Sequence, residues 1–225
     1  VGTYTSLIFG IAMLAAVSSG AFIERFGPVR WGQIEIGIIA VGLVVAASGD
    51  FASFVLAALL IGLGWGGSTP ASSQALSQVT PPRLAPLFFS IKQTGIPIGG
   101  ILAGLLVPLF VHHFGWRGAF IGVALLCAGQ LIAVQPMRAS MDAGRRPGHP
   151  IVTTEVVGNL GRVLRSRHLR DLGLASFVYI ALQGCFSAFF TLYLVEKLGY
   201  DLATAGFVFS IAQLIAVPAR TTSGT

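Results

Sequence analysis

A chain of 225 residues in which 54% are hydrophobic and 10% charged is too apolar for a soluble domain, where about a quarter of residues carry charge. Its mean hydropathy is +0.82. The formal charge of +6 rests on 14 Lys and Arg against 8 Asp and Glu, and in so apolar a chain it reads as membrane topology, which removes nucleic acid as a partner.

A helix needs about 20 apolar residues to cross the hydrocarbon core. Seven stretches approach or meet that length: Thr3 to Ile23, Gly32 to Ser48, Phe51 to Ser73, Leu87 to Val111, Gly118 to Val134, Leu172 to Leu194, and Ala203 to about Thr222. They lack the alternation of strands and are too long for barrel strands, so the expected fold class is all-α, a polytopic transmembrane helical bundle. Cys127 and Cys185 both lie within spans and give neither a disulfide nor a metal site.

Between the first two spans stands Gly20-Ala21-Phe22-Ile23-Glu24-Arg25-Phe26-Gly27-Pro28-Val29-Arg30. The run resembles the loop signature G-x-x-x-D/E-R-x-G-x-R/K of the major facilitator superfamily, which joins the second and third helices of those transporters. Gly20, Glu24, Arg25, Gly27 and Arg30 stand at its offsets, with Glu24 in place of the commoner aspartate. The glycines allow a tight turn, the acid can sit against a neighbouring helix end, and the arginines anchor the loop on the cytoplasmic side. With that side cytoplasmic, Arg25, Arg30, Arg83, Arg138, Arg145, Arg146, Arg162, Arg165, Arg167 and Arg170 share it, and Arg117 and Lys197 fall opposite.

The resemblance continues along the chain. Gly62-Leu63-Gly64-Trp65-Gly66-Gly67-Ser68-Thr69-Pro70 is similar to the glycine-rich fourth helix of the superfamily, with Leu59 where an arginine is usual. Lys92-Gln93-Thr94-Gly95-Ile96-Pro97-Ile98-Gly99-Gly100, followed by Gly104, is similar to the fifth, and Gly115-Trp116-Arg117-Gly118 to the entry of the sixth. Gly95, Gly99, Gly100 and Gly104 offer small residues for close helix packing, and Pro97 can kink the span.

Ionisable and polar residues inside the spans are the candidate solute site. Lys92 lies about a turn and a half inside its span, where it either faces a cavity and attracts an anion, with Gln93 and Thr94 beside it, or snorkels to the headgroups. Glu35, at similar depth, could neutralise Lys92, carry a proton, or anchor the helix at the interface. Tyr179 and Gln183, four apart on one helix, and Gln213, halfway along the last span, could line a central cavity or bond between helices. His112 and His113 end their span on the outer side, and Arg220 lies near the cytoplasmic end of its own.

Gln135 to Arg170 is the one substantial hydrophilic segment. Met141 to Pro150 reads as a flexible linker, while Val156, Val157, Leu160, Val163 and Leu164 repeat with helical spacing opposite Arg162 and Arg165, as in an amphipathic interfacial helix. The resemblance implies three regions: residues 1–135, most of an N-terminal six-helix bundle; 136–170, a cytoplasmic connecting loop; and 171–225, the first two helices of a second bundle. About seven spans of an expected twelve are then present. The chain begins within a span at Val1, and a weak repeat at a shift of 204 residues pairs Gly2 with Gly206 and Gly20 with Gly224, so the chain reads as a fragment.

No metal-spaced His/Cys cluster, phosphate-binding loop or Ser/His/Asp order is present, so no enzyme activity, metal or cofactor is expected. The expected function is secondary transport of a small solute, with an organic anion as the candidate, by alternating access in a bacterial inner membrane, coupled to a proton, an ion or the solute's own gradient. A seven-helix receptor or sensor and the permease subunit of an ATP-driven transporter are the alternatives.

Overall fold

The computed structural model describes residues 2–151, 161 and 165–222. All regular secondary structure among them is helical. α1 (Gly2–Phe26) and α2 (Pro28–Ala46) are joined by Gly27 alone. Its φ of 90° lies in the left-handed region that glycine enters without steric cost, and Pro28 opens α2 where a missing N–H loses no bond. α3 (Phe51–Gly66) is capped by Asp50, whose carboxylate accepts the Ser53 N–H at 2.9 Å and the Ser48 hydroxyl at 3.1 Å. Those bonds, the Ser53 N–H foremost, hold Asp50 below the usual carboxylate range. Its charged cap is therefore fully formed above the ordinary Asp pKa and is lost as the pH falls through the lowered one.

Two of the spans are broken, and for the same reason. α4 (Ser68–Val79) continues α3 after a break at Gly67. A turn at Pro82–Leu84 leads into α5 (Ala85–Gln93), which a break at Thr94 separates from α6 (Gly95–Val134). Pro70 and Pro97 each stand three residues beyond a break. Each lacks the N–H that the carbonyl four residues earlier requires, and its ring crowds that carbonyl.

The 40-residue α6 leaves helical geometry at Gly115, with φ 69° and ψ 177°. A Cβ on Gly122 would lie 2.8 Å from the Phe110 ring. In a straight helix residues twelve apart are about 18 Å distant, so the two halves of α6 fold back as a hairpin. α7 (Arg138–Met141), α8 (Arg167–Glu196) and α9 (Leu202–Thr222) complete the order.

Among the described residues five stretches are long and apolar enough to cross a membrane: Gly2–Phe26, Pro28–Ala46, Phe51–Val79, Pro82–Met141 and Arg167–Glu196. The fourth, 60 residues long, contains two of the expected spans, separated at Gly115. The seventh expected span is α9, whose apolar part, Leu202–Ala216, is shorter. Every expected span thus falls on a helix, and the chain is an integral, multi-pass membrane protein. The amphipathic helix read from Val156, Val157, Leu160, Val163 and Leu164 lies outside the described residues.

Small residues build the interior. Among the described residues eight of the eleven buried apolar ones are alanine, whereas Met13, Leu14, Leu125, Ile132, Leu172 and Phe177 are exposed. In lipid, where apolar surface has nothing to gain by hiding, close backbone approach and dispersion hold helices together. α3 illustrates it from both sides. A Cβ on Gly62 would lie 2.7 Å from the Ile8 carbonyl oxygen of α1, one on Gly66 would strike the Ala12 carbonyl, and one on Gly64 would lie 2.5 Å from the Glu35 carbonyl oxygen of α2.

The first half of α6 packs antiparallel to α9. Pro108 deprives the Gly104 carbonyl of its helical donor, and that carbonyl lies against Gly206. The Ser210 hydroxyl reaches the carbonyls of Ile101 at 3.1 Å and Gly206 at 2.9 Å. Gly104 meets Ser210 and Gly206, and Gly100 meets the Gln213 side chain, whereas Gly95 and Gly99 have no neighbour within 4 Å of a built Cβ. The expected packing face therefore contracts to Gly100 and Gly104, four apart on one side of the helix, whereas Gly95 and Gly99 share a row about 100° round from it. Pro97 is fully buried.

At the end of the bundle that carries the α1–α2 turn, Asp142 reaches back across the sequence. Its carboxylate accepts the Val29 N–H at 2.9 Å and the Arg30 N–H at 3.0 Å, at the start of α2. It is 4% exposed, with the Arg138 guanidinium 4.0 Å away. A Cβ at Gly27 would collide with this carboxylate. The segment from Met141 to Pro150, expected as a flexible linker, instead begins with a buried side-chain cap, since two amides at the positive end of α2 compete successfully for the carboxylate.

Two outcomes follow for the full-length protein in detergent. Asp142→Ala lowers stability by about 1–2 kcal/mol, the worth of a helix cap, read as a fall in the thermal unfolding midpoint, and Asp142→Asn recovers part of it. Gly104→Leu lowers it by about 1–3 kcal/mol through overpacking against α9, and by more than Gly99→Leu, since no described residue lies within 4 Å of a Cβ built at Gly99.

Candidate functional site

Three groups of residues at the same end of the bundle are candidates for function. The first is the α1–α2 turn. The Glu24 carboxylate lies 3.2 Å from His149 Nε2 and 3.6 Å from the Arg146 guanidinium, and the Arg146 N–H donates to the Glu24 carbonyl at 2.7 Å. The acid is tied to the segment that leaves the last helix of the bundle. Arg25 lies over the Phe26 ring at 5.7 Å. Arg30 is exposed, and with Gln33, Ile34, Leu131, Ile132 and Gln135 it lines an open groove of about 420 Å³ between α2 and the second half of α6. Gln33 closes the floor of that groove, its Nε2 donating to the Leu131 carbonyl at 3.1 Å and to Gln135 Oε1 at 2.7 Å. Gly20 has no neighbour near a built Cβ.

The second group surrounds Lys92. Its ammonium donates to Ser73 Oγ at 2.6 Å and to the Thr69 carbonyl at 3.2 Å, both on α4, and lies 5.9 Å from the Phe89 ring centroid. It is half-buried, and among the described residues no carboxylate pairs with it. The Ser73 and Thr69 oxygens stand one turn apart in the first two turns of α4, on the side that meets Lys92 of α5. Gln93 is exposed beside it. The Thr94 hydroxyl does not join the group: buried, it donates to the Ile91 carbonyl of its own helix at 2.6 Å.

Glu35 forms the third. It is 1% exposed, inside the bundle, and so does not anchor α2 at the interface. Its carboxylate lies where a Cβ on Gly67 would be, beside the Trp31 indole nitrogen and the Cβ of Ser19. The Trp31 and Gly67 N–H groups are the donors beside it, yet neither carboxylate oxygen has a partner of good hydrogen-bond geometry and the indole N–H is unpaired as well. The Ser19 hydroxyl is spent on the Ala16 carbonyl at 2.8 Å. The expected neutralisation of Lys92 by Glu35 does not occur, because the backbone of α4 takes up the ammonium before it can reach the carboxylate. Glu35 meets α4 at its N-terminal break, and Lys92 meets it at Thr69 and Ser73.

Elsewhere the polar residues do not converge. Tyr179 is 60% exposed on α8, Gln183 is half-buried on the same helix, and Gln213 lies over Gly100 in the α6–α9 contact. No hydrogen bond joins Gln213 to either of them among the described residues. His112 and His113 stack edge to face at 4.9 Å at the opposite end of the bundle. Asp142, Ser73 and Trp31 were not legible as functional in the sequence. An acid eight residues beyond the end of an apolar span is the one trace that Asp142 left there.

Comparison with known proteins agrees with this architecture. The family model of the Major Facilitator Superfamily matches residues 1–225. Among curated relatives, the glucose transporter GlcP of Staphylococcus epidermidis is 32% identical over 114 residues, covering 50% of this chain and 25% of that protein. The niacin transporter NiaP of Acinetobacter baylyi is 27% identical over 53% of this chain and 28% of its own. A probable hexose phosphate transport protein of Chlamydia pneumoniae is 24% identical over 95% of this chain and 52% of its own. The chain thus spans a quarter to about half of the length of these relatives. A match along its whole length, on a bundle of broken and glycine-packed membrane helices, makes this chain a member of the major facilitator superfamily, whose named relatives here are carriers and not enzymes.

Proposed function

We propose that the protein to which this chain belongs is a secondary transporter that moves a small organic anion across a bacterial inner membrane by alternating access. Residues 1–135 belong to one helical bundle and 171–225 open a second, with 136–170 linking them on the cytoplasmic side. The ten arginines on the side of the α1–α2 turn, against two cations opposite, support that orientation. Family membership supports solute transport. The substrate class rests on Lys92.

That single observation is an ammonium inside a membrane-crossing stretch, bonded to a hydroxyl and a carbonyl and to no carboxylate among the described residues. Such a charge is costly in a membrane unless it meets water or a counter-charge. A carboxylate or phosphate on the solute would supply the charge, and Ser73 and Gln93 would add hydrogen bonds that distinguish it. The hexose phosphate relative is named for an anion and the GlcP relative for a neutral sugar, so the relatives agree on carriage rather than on charge. Glu24, Arg25 and Arg30 would hold the cytoplasmic gate, with the Glu24 contacts to Arg146 and His149 as the bonds that open. The receptor and ATP-driven readings have no counterpart among the relatives described above.

In the full-length protein, Lys92→Gln raises KM for anionic solutes by about tenfold or more, in line with roughly 1.5–3 kcal/mol for a hydrogen bond to a charged group, and Lys92→Arg restores most of it. An unchanged KM in vesicle uptake would remove the anion assignment. Glu24→Gln lowers the uptake rate while leaving equilibrium solute binding within about twofold, a loss of gating rather than of affinity. Intact uptake in that variant would remove the gate.

A further inference from the structure

Glu35 is not used by the solute site, and its surroundings are unusual for a carboxyl group. It is buried to 1% exposure, both of its oxygens and the facing Trp31 indole nitrogen lack a hydrogen-bond partner of good geometry, and it fills the space beside Gly67 where α3 ends and α4 begins. Among the described residues no cation pairs with it. α1 offers Glu24 and Arg25 beyond Ser19, and Glu24 is held by Arg146 and His149. α2 offers Arg30, exposed in the groove with Gln33. α3 and α4 contain no charged residue. α6 contributes His112, His113 and Arg117 at the far end, where Arg117 Nη2 donates to the Ser48 carbonyl. Arg138 and Asp142 lie together over the start of α2, and Lys92 is bonded across α4 to Thr69 and Ser73.

A buried carboxyl with no cation beside it among the described residues and no full set of donors is stable there only when its charge is cancelled, and binding a proton cancels it. We propose that Glu35 is the proton-carrying group of the transporter, loaded on one side of the membrane and unloaded on the other as the Gly67 break opens and closes over it. The inference rests on the transport reading above and names its coupling ion. Loading moves one proton from hydronium to the carboxylate and leaves water. Unloading returns that proton to water on the other side, so the cycle is balanced without a further reactant. Because α4 carries the Gly67 break at its start and the Lys92 partners Thr69 and Ser73 in its first two turns, a shift of α4 reaches both the proton and the solute position.

Trp31 makes the proton directly visible. Its ring is fixed by stacking on Phe22 at 4.4 Å, and its N–H faces the carboxyl. In full-length protein carrying W65F and W116F within this segment, and with any tryptophan outside it also replaced, Trp31 fluorescence should follow a single-proton titration that disappears in E35Q. A flat wild-type profile, or one that E35Q leaves in place, overturns the proton site. In proteoliposomes, E35Q should abolish accumulation of anionic solutes driven by an imposed pH gradient while retaining solute exchange within about twofold, because exchange needs no net proton movement. Loss of both in folded protein, or gradient-driven accumulation equal to wild type, overturns the assignment. A Trp31 titration that depends on Glu35, with no uptake of any anionic solute by wild type, keeps the proton site and sinks the transport reading instead.

Discussion

The close passage of α3 between α1 and α2 governs everything at the end of the bundle where the candidate sites lie. Water expels no apolar surface inside a bilayer, so helices gain by bringing backbone against backbone. Gly62 and Gly66 let α3 touch the carbonyls of Ile8 and Ala12, and Gly64 lets it touch that of Glu35. With α3 held at that distance, Gly67 falls onto the Glu35 carboxylate. The enclosure of that acid is therefore a by-product of the glycine packing, and a larger residue at any of these positions would move α3 away from it.

Proline supplies the second ingredient. Continuous helices satisfy their backbone groups internally and present only side chains to a neighbour. The prolines beyond the two breaks, Pro70 and Pro97, each remove one helical donor, and between these breaks the Thr69 carbonyl and the Ser73 hydroxyl of α4 hold the ammonium of Lys92 on α5. Charge and hydroxyl thus meet on the stretch of chain between the two breaks.

The membrane spans, their helical class and the tight turn at Gly27 were legible in the sequence, since hydropathy, span length and the Gly-Pro pair are local properties. The hairpin within α6 was legible as two spans, its corner falling on the Gly115 that separates them. Partnership was not legible. Lys92 and Glu35 lie at matching depths on their helices, which made an ion pair reasonable, but depth says nothing about the helix that intervenes. Gly95, Gly99, Gly100 and Gly104 form one family by spacing, yet only the last two face α9, because Gly95 and Gly99 occupy a row one residue, about 100°, round the helix from the other two. Asp142 was hidden for the opposite reason: its neighbours in sequence, rich in Gly, Arg and Pro, describe a linker, and its true partners are amides more than a hundred residues away.

The alanine-rich interior also alters what variation the chain can absorb. In a water-soluble domain the damaging substitutions are those that shorten large side chains in the core. Among the described residues here the large side chains Leu14 and Ile132 are exposed, and the core is already built mostly from alanines that have almost nothing left to lose. Tolerance is inverted. A single added methyl at Ala57 or Ala58, both wholly buried, is a greater insult than the removal of several from the rim, so drift in related sequences should be free in size on the outside and confined to the smallest residues within.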